Sequence, residues 1–412
     1  MTDRRRRVAA LAGGGTAALL AAAGGATWYY AERITEAPGR RPVPPLPDDG
    51  VQVRDLDGSS VVLAGPAAER PGWWGLDTGR GWLRVGPPGD LVPLDADDPD
   101  LAHVTTGVRR PVEHRVGKVE AGDTGLLDAD AIPEDPADVG LEVDDEQVTG
   151  PLGDLPAWWF PAPTGAPTRP VRTVAVLVHG RSGSRREVVR WAPTFLAAGV
   201  SCLALSYRNA PGAPPSPDGR SHLGATEWED LEAAIEHVVD HHAADDVVVL
   251  GVSMGGACAA ELLRRSVAAS HVRALVLDAP VRHWGPVLRA AARQRGLPPA
   301  VLPILLPPTM ALAGARRRID WRGLDDLADP NLFRSPTLLF HGDADATVPV
   351  ALSDAFAAAR QDVVTYHRVR GAGHVRTWNV DREGCEAALA AFLDRVLDER
   401  QRPPLRPIPG AP

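Results

Sequence analysis

The sequence predicts an α/β protein in which a mostly parallel sheet carries helices on both faces, preceded by a small β-rich domain. Three observations support this prediction. From about Leu141 onward, apolar β-branched runs alternate with amphipathic helical patterns, which is typical of parallel strands joined by helical crossovers. Between Asp246 and Leu263, a strand, a tight glycine-containing turn and a helix follow one another directly. Before residue 141 there are only short β-like runs separated by turn residues.

The N-terminal region, residues 1–34, is predicted to be a membrane anchor. Arg4–Arg7 precedes Val8–Tyr30, an uncharged run that is long enough to cross a bilayer as a helix. The arginine cluster would stay in the cytoplasm, so the domains that follow would lie outside it on a single-pass protein of the cell membrane. The alternative is a cleaved signal peptide ending near Ala21–Ala23, which would give a secreted protein.

Three further segments lie outside the α/β domain. Residues 35–49 are rich in proline and are predicted to form an extended linker, and residues 399–412 a disordered tail. Residues 50–140 are predicted to form the small β-rich accessory domain. Its expected strands are Val51–Leu56, Val61–Leu63, Gly81–Val85 and His114–Val119.

Residues 141–398 are predicted to form the catalytic domain. It opens with a hairpin, Leu141–Val148 and Leu155–Phe160, and then alternates strands and helices. The expected strands are Thr173–Val178, Ser201–Tyr207, Val247–Leu250, Val272–Leu277, Thr337–Phe340 and Val363–Val369. The expected helices are Arg186–Ala198, Thr226–His242, Val350–Arg360 and Arg382–Leu397. Residues 281–335 interrupt this alternation and are predicted to contain two helical segments. We expect residues 281–335 to form a lid over the carboxyl ends of the sheet.

The turn between Gly251 and Gly255 has the pattern G-x-S-x-G with Ser253 at its apex. A serine in such a strand-to-helix turn sits in strained backbone, so the flanking positions must lack side chains that would collide. The turn also aims the first amides of the following helix at the reacting atom. The pattern alone is common in a glycine-rich chain, but its position between a strand and a helix favours a nucleophilic serine.

A nucleophilic serine needs a base, and the base needs an acid that orients it. Because chemistry gathers at the carboxyl ends of parallel strands, we expect both partners just after strands. Asp345 and His374 meet this condition, and the chain order Ser, Asp, His is the order expected for this turn. Asp343 and Asp278 are alternative acids, although Asp343 is more typical of a turn-forming residue and Asp278 of a strand exit.

Residues from about 141 to 397 resemble the α/β-hydrolase superfamily. The motifs that carry the resemblance are His179-Gly180, Gly251–Gly255, His341-Gly-x-x-Asp345-x-x-Val-Pro349 and Gly373-His374, in that order. The resemblance implies an α/β-hydrolase fold with Ser253 as nucleophile, His374 as general base and Asp345 as orienting acid. It also implies an oxyanion hole made by the backbone amides of Met254 and Arg181. Trp284 and Trp378 could line the acyl pocket, although core packing is an equal alternative.

Composition limits the kinds of molecule that this protein is expected to bind. The formal net charge is −9 and the basic residues are scattered, which disfavours nucleic acid. The three cysteines, Cys202, Cys258 and Cys385, lie in apolar segments and are expected to be buried thiols. No Cys/His group has metal-ligand spacing, and the adjacent His241 and His242 would point in different directions on a helix. We therefore expect neither a metal nor a cofactor.

These features predict a serine hydrolase that acts on carboxylic esters through an acyl-enzyme. A membrane anchor and an apolar lid favour small-molecule esters or lipids as substrates. A peptidase similar to prolyl oligopeptidase, or a thioesterase, is the alternative enzyme; about 90 residues before the catalytic domain are too few for a propeller. The non-enzymatic alternative is a binding module with a hydrolase-like fold. The presence of a complete set of Ser, His and Asp disfavours this alternative.

Overall fold

The structure is a computed structural model that describes residues 23–37, 50–94, 106–167, 171–325, 329 and 332–398. Most of the predicted anchor, most of the linker and the C-terminal tail lie outside these residues. Residues 23–34 form a helix, α1. No helix within the described ranges is both long enough and apolar enough to span a bilayer.

The accessory domain is an antiparallel barrel. Its strands are β1 (Gly50–Leu56), β2 (Ser60–Ala64), β3 (Trp74–Asp77), β4 (Gly81–Val85), β5 (Leu91–Pro93), β6 (Thr106–Gly117) and β7 (Thr124–Asp128). They lie in the order β2-β1-β7-β3-β4-β6-β5, and a further pairing of β2 with β6 closes the barrel. The four predicted strands are present, and β3, β5 and β7 were not predicted. Closure removes the exposed edges that so small a sheet would otherwise present.

A second sheet of eight strands forms the larger domain. Its strands are β8 (Asp144–Gly150), β9 (Gly153–Phe160), β10 (Thr173–Val178), β11 (Ser201–Leu205), β12 (Asp246–Val252), β13 (Val272–Asp278), β14 (Thr337–Gly342) and β15 (Val364–Val369). The order is β15-β14-β13-β12-β10-β11-β9-β8. Strands β10 to β15 pair in parallel, whereas β8 and β9 form an antiparallel hairpin at one edge. The central strands are buried along their whole length, as their apolar runs require.

Helices cover both faces of this sheet. They are α2 (Arg186–Val189), α3 (Ala192–Ala197), α4 (Trp228–His242), α5 (Met254–Arg265), α6 (Trp284–Gln294), α7 (Leu302–Arg317), α8 (Ala351–Ala359), α9 (Thr377–Val380) and α10 (Arg382–Val396). Side chains of α4, α5 and α8 fill one core, and those of α2, α3 and α10 fill the other. The single helix expected over 186–198 is divided into α2 and α3, with Pro193 in the first turn of α3.

The long segment between β13 and β14 contains α6 and α7, at the two helical segments that the sequence predicts. Pro307 and Pro308 lie inside α7, where proline is usually unfavourable. Trp284 begins α6, is buried, and donates a hydrogen bond from Nε1 to the carbonyl of Leu223 at 3.1 Å. This bond ties the start of the insertion to the loop before α4.

The segment that follows α1 is docked on the larger domain. Thr35 is fully buried, and its carbonyl accepts a hydrogen bond from the amide of Ser221 at 2.9 Å. Glu32 lies within ion-pair distance of Arg220, Arg316 and Arg317, the last two in the final turn of α7. Because one carboxylate joins α1, the loop before α4 and the insertion, the chain that enters from the N-terminus is part of the wall of the larger domain.

Candidate active site

Ser253 stands alone between β12 and α5, in a backbone conformation with φ of 51° and ψ of −111°. Such a conformation is strained for a residue with a side chain. The glycines around it are required by close packing of the turn. A Cβ atom at Gly251 would lie 2.8 Å from the carbonyl oxygen of Gly255, and one at Gly255 would collide with the carbonyl oxygen of Val178. The strained turn therefore depends on the glycines from which the sequence predicted it.

The structure brings Ser253, His374 and Asp345 together from three separate loops. Nε2 of His374 is 2.9 Å from Oγ of Ser253, and Nδ1 of His374 is 2.7 Å from Oδ2 of Asp345. Ser253 is 8% exposed, which leaves its hydroxyl accessible to a small group. The Nδ1–H tautomer of His374 donates to the carboxylate, and Nε2 is then an acceptor for the serine proton. This arrangement can activate a hydroxyl as a nucleophile.

The other two carboxylates considered from the sequence make different contacts. Oδ1 of Asp343 accepts a hydrogen bond from the amide of Gly371 at 2.7 Å, so Asp343 shapes the loop that leads to His374. Oδ1 of Asp278 accepts from the hydroxyl of Thr377 at 3.0 Å, and burial raises the pKa of its carboxyl. Asp345 is thus the carboxylate that contacts the imidazole of His374.

Asp345 is held as an anion by its surroundings. Burial alone would raise the pKa of its carboxyl, but hydrogen bonds from His341, His374 and the amide of Val348 hold it well below the usual range. Oδ1 accepts from the amides of Thr347 and Val348 at 2.7 and 2.8 Å, and Oδ2 faces the two imidazoles. A carboxylate with every oxygen engaged cannot rotate, so it fixes the orientation of His374.

The predicted oxyanion residues lie on either side of Ser253. Met254 is the first residue of α5, where an amide has no intrahelical acceptor. Arg181 follows His179-Gly180 after β10, and Gly180 is close enough that an added Cβ would lie 3.2 Å from Cβ of Ser253. Gly180 is held by its amide, which donates to Oε2 of Glu187 at 2.6 Å, and by its carbonyl, which contacts Nδ1 of His179 at 2.7 Å and accepts from the hydroxyl of Tyr207 at 2.8 Å. The two predicted amides thus come from the start of α5 and from the loop after β10.

A pocket opens beside Met254 and His179. Its lining includes Met254, which the sequence predicted to be in the site, and Asn209. It also includes residues that the sequence analysis did not single out, namely Ser182, Tyr207, Ser221 and Glu227. Glu227 is buried and accepts hydrogen bonds from the amides of His222 and Gly224 at 2.8 and 2.9 Å. Tyr207 could have been found from its position just after β11, at the same edge as the serine. Glu227 carries no comparable sequence signal.

The two tryptophans suggested as pocket residues are placed differently. Trp378 is 2% exposed, packs in the core with Leu389 and Phe392 of α10, and donates from Nε1 to Glu386 at 3.1 Å. Trp378 is therefore a core residue, and we do not retain it as a substrate contact. Trp284 is also buried, but in the same core as Met254 and next to the loop before α4. All three cysteines are buried free thiols, as expected.

The barrel contacts the loop that carries His374. The carbonyl of Ala129, just after β7, accepts hydrogen bonds from Arg190 and from Asn379 of α9, both at 2.9 Å. The same guanidinium of Arg190 also donates to the carbonyl of Val375 at 3.2 Å. Val375 follows His374 directly and has a positive φ of 54°. One buried arginine therefore connects the accessory domain to the strained residue next to the imidazole.

Comparison with known proteins is consistent with this architecture. Residues 174–302 match a family model described as the alpha/beta hydrolase fold. No curated protein sequence matches the chain. Among solved structures, an esterase from Pyrococcus furiosus is similar, with 21% sequence identity and a TM-score of 0.51 over 64% of this chain and 94% of the esterase. At that identity, the likeness establishes the fold alone.

Two further solved structures show weaker similarity. One is an α/β serine hydrolase without a lid from Xanthomonas campestris, with 19% identity and a TM-score of 0.43 over 62% of this chain and 94% of that one. The other is a puromycin-hydrolysing peptidase from Mycobacterium tuberculosis, with 18% identity and a TM-score of 0.46 over 84% of this chain and 60% of the peptidase.

Proposed function

We propose that the larger domain of this chain, in which residues 174–302 match the alpha/beta hydrolase family model, is a serine hydrolase that cleaves carboxylic esters through an acyl-enzyme. The observation that carries the proposal is the pair of contacts that join Ser253 to His374 and His374 to Asp345, at 2.9 and 2.7 Å. A hydroxyl, an imidazole and a carboxylate in this order perform acyl transfer on several unrelated folds.

The proposed reaction has two halves. Oγ of Ser253 attacks the ester carbonyl while Nε2 of His374 takes its proton, and the imidazolium then protonates the departing alcohol. In the second half, His374 takes a proton from the water that attacks the acyl carbonyl. The imidazolium then returns this proton to Oγ of Ser253 as the acid is released. The amides of Met254 and Arg181 would stabilise the charge on the carbonyl oxygen, which is typically worth about 3–4 kcal/mol per donor.

Hydrolysis of a p-nitrophenyl ester series, from acetate to palmitate, tests the proposal with the full chain in detergent. Turnover that disappears on removal of the serine hydroxyl would support an esterase. Labelling by a fluorophosphonate without ester turnover would redirect the search to peptide or thioester substrates, the alternative hydrolase activities. Absence of both turnover and labelling would favour a binding module.

The same series tests the proposal that α6 and α7 form a lid over the site. Their insertion between β13 and β14, and the exposure of Ile304 on α7 (77%), are compatible with a cover that meets apolar acyl chains. We expect removal of α7 to shift the preferred acyl-chain length while fluorophosphonate still labels Ser253. An unchanged preference in a folded variant would contradict the lid.

Activity is expected to rise with pH as His374 loses its proton, because only a neutral imidazole can accept the serine proton. Two neighbouring groups should not contribute to this rise. Burial lowers the pKa of His179 to about 4, and the pKa of Asp345 lies well below its usual range. We therefore expect log kcat/KM to rise with a slope of about one on the acidic side and then to level off, measured with a neutral ester. A flat profile would argue against His374 as base.

Arg190→Gln is expected to lower kcat by about 10- to 100-fold, because a displacement of about 1 Å at the reacting groups has an effect of this size. The shorter amide cannot reach both the carbonyl of Ala129 and that of Val375. The matched control is Arg382→Gln, which removes ion pairs with Glu113 of the barrel and Glu386 of α10. The guanidinium of Arg382 also packs over Trp73 and Trp378, but its ion pairs go to these two carboxylates and not to the carbonyl of Val375. Steady-state kinetics and thermal melts of both variants separate the two effects. Equal losses in both would contradict a specific role for Arg190.

The proposed location is the cell membrane, with the catalytic domain outside the cytoplasm and a small-molecule ester or lipid as substrate. The support is the arginine cluster and apolar run of residues 4–30, together with the docking of residues 32–36 on the larger domain. We expect the full chain to remain with membranes after a carbonate wash. Release of a form that begins near Gly24 would instead support a cleaved signal and a secreted protein.

A further inference from the structure

Three ligand-type side chains meet at the edge of the large sheet that is opposite β15. Glu146 comes from the edge strand β8, and His237 and His242 come from the last two turns of α4. Nε2 of His237 is 2.9 Å from Oε2 of Glu146, and Nε2 of His242 is 3.0 Å from Oε1. The three donor atoms lie within 4.8 Å of one another. Two imidazole nitrogens and a carboxylate oxygen thus face a common point.

The environment holds these groups in place while leaving one side open. The ring of His242 stacks on Trp159 of the neighbouring strand β9, with centroids 3.5 Å apart and planes 13° apart. The side chains of His237, His242 and Glu146 are 12%, 18% and 21% exposed. Burial would raise the pKa of Glu146, but hydrogen bonds from the two histidines lower it, so the carboxylate is charged at neutral pH.

We propose that Glu146, His237 and His242 form a binding site for a divalent transition-metal ion, Zn²⁺ being the best match. Imidazole and carboxylate are the borderline ligands that Zn²⁺ prefers, and its bonds to them are about 2.0–2.2 Å long. In a tetrahedral site with such bonds, ligand atoms are separated by about 3.3 Å. Nε2 of His237 and Nε2 of His242 lie 2.9 and 3.1 Å from the same oxygen, Oε2 of Glu146, so both of these separations need only a small expansion to admit the ion. Water would occupy the exposed fourth position.

Binding would exchange hydrogen bonds for metal bonds. In the structure the carboxylate faces two imidazole Nε2 atoms, which can donate only if they carry protons. Zn²⁺ would take the place of those protons at Nε2, and each neutral ring would then carry its proton on Nδ1. The consequence for the fold is that the ion would connect the edge strand β8 to α4, far along the sheet from the strands that support Asp345 and His374.

His241 provides a control within the same helix. It is adjacent to His242 and stacks on His237 with centroids 4.4 Å apart, but its Nδ1 pairs with the carbonyl of His237 at 3.1 Å. It is not part of the three-residue group. The pair that is adjacent in sequence is therefore not the ligand pair, which explains why spacing along the chain did not reveal the site.

The test is a titration of the EDTA-treated, dialysed full chain with ZnCl₂ by calorimetry, with thermal melts in parallel. We expect one Zn²⁺ per chain with a Kd of about 10 μM or lower at pH 7.5, and a higher melting temperature with zinc. His237→Ala and His242→Ala should each weaken binding by about 10- to 100-fold, and His241→Ala by less than about twofold.

Two results would overturn the proposal. One is the absence of saturable binding below about 1 mM, in which case the three side chains form only a hydrogen-bonded ion pair. The other is an equal loss of affinity in the His241 and His242 variants, which would place the ion elsewhere. If a histidine variant fails to fold, Glu146→Gln keeps the shape of the side chain and should still lose most of the affinity. Strong binding by a folded Glu146→Gln protein would count against the site.

Discussion

Ser253→Ala is expected to reduce kcat for ester hydrolysis by about 10⁵- to 10⁶-fold, to the level that substrate binding and the oxyanion amides provide alone. The reason is that the proposed covalent route has no other nucleophile. Stability should change little, because alanine keeps the Cβ atom at the apex of the turn and removes only the hydroxyl bonded to His374. Initial rates, corrected for active enzyme by fluorophosphonate titration of the parent protein, measure the effect.

Ser270→Ala is a suitable control, since this hydroxyl is exposed and bonds only to the carbonyl of Val267. It should retain full turnover and full labelling. If the Ser253 variant kept more than about a hundredth of the parent rate, the acyl-enzyme proposal would fail. A purified variant that kept labelling would show that the probe reacts at another residue.

Asp345→Asn has the second largest expected effect, a decrease in kcat of about 10⁴-fold. The asparagine carbonyl can still accept from the amides of Thr347 and Val348, so its NH₂ group is turned toward His374. An NH₂ group forces Nδ1 of His374 to be the acceptor and places the ring proton on Nε2, where it can no longer take the proton of Ser253. A steady-state assay with an excess of a short-chain ester isolates this change in kcat.

Asp343→Asn is the matched control, because its carbonyl can keep the bond to the amide of Gly371. We expect less than about a fivefold change in kcat. A larger loss in the Asp343 variant than in the Asp345 variant would make Asp343 the orienting acid, the alternative that the sequence left open.

The pH dependence of stability provides a separate check on Asp345. Its carboxyl has a folded-state pKa well below the ordinary value, so it stabilises the fold at pH values above about 4 and loses this contribution as the pH falls toward the folded-state pKa. The parent protein should therefore melt at a higher temperature than Asp345→Asn at pH 7. This difference should shrink in acid below about pH 4.

Most of the candidate site could be predicted because its determinants are local. The turn around Ser253 is encoded by glycines two residues away, and Asp345 and His374 each follow a strand that the sequence marks by its apolar run. In a parallel sheet the carboxyl ends of neighbouring strands lie at one edge, so three such positions can be expected to meet. The sequence leaves open which carboxylate orients His374, because Asp343 and Asp345 occupy the same loop. Only the distance of each carboxylate from the imidazole separates them.

Other features depend on packing between distant parts of the chain. The sequence could not place Trp378 in the core with α10 instead of in the pocket, nor pair Arg190 with Ala129 of the barrel. The sequence analysis considered the adjacent His241 and His242, whereas the structure groups His242 with His237 and with Glu146 from a strand about 90 residues earlier.

What the sequence by itself determined is the order of strands and helices in the larger domain, the strained turn at Ser253 and the positions of its two proposed partners. These follow from side-chain periodicity and backbone sterics, which act over a few residues. What only the tertiary structure decided is the order of strands across the sheet, the closure of the barrel, and its contact with the loop that carries His374. Those depend on which apolar surfaces bury one another, and such burial joins residues whose separation along the chain carries no local signal.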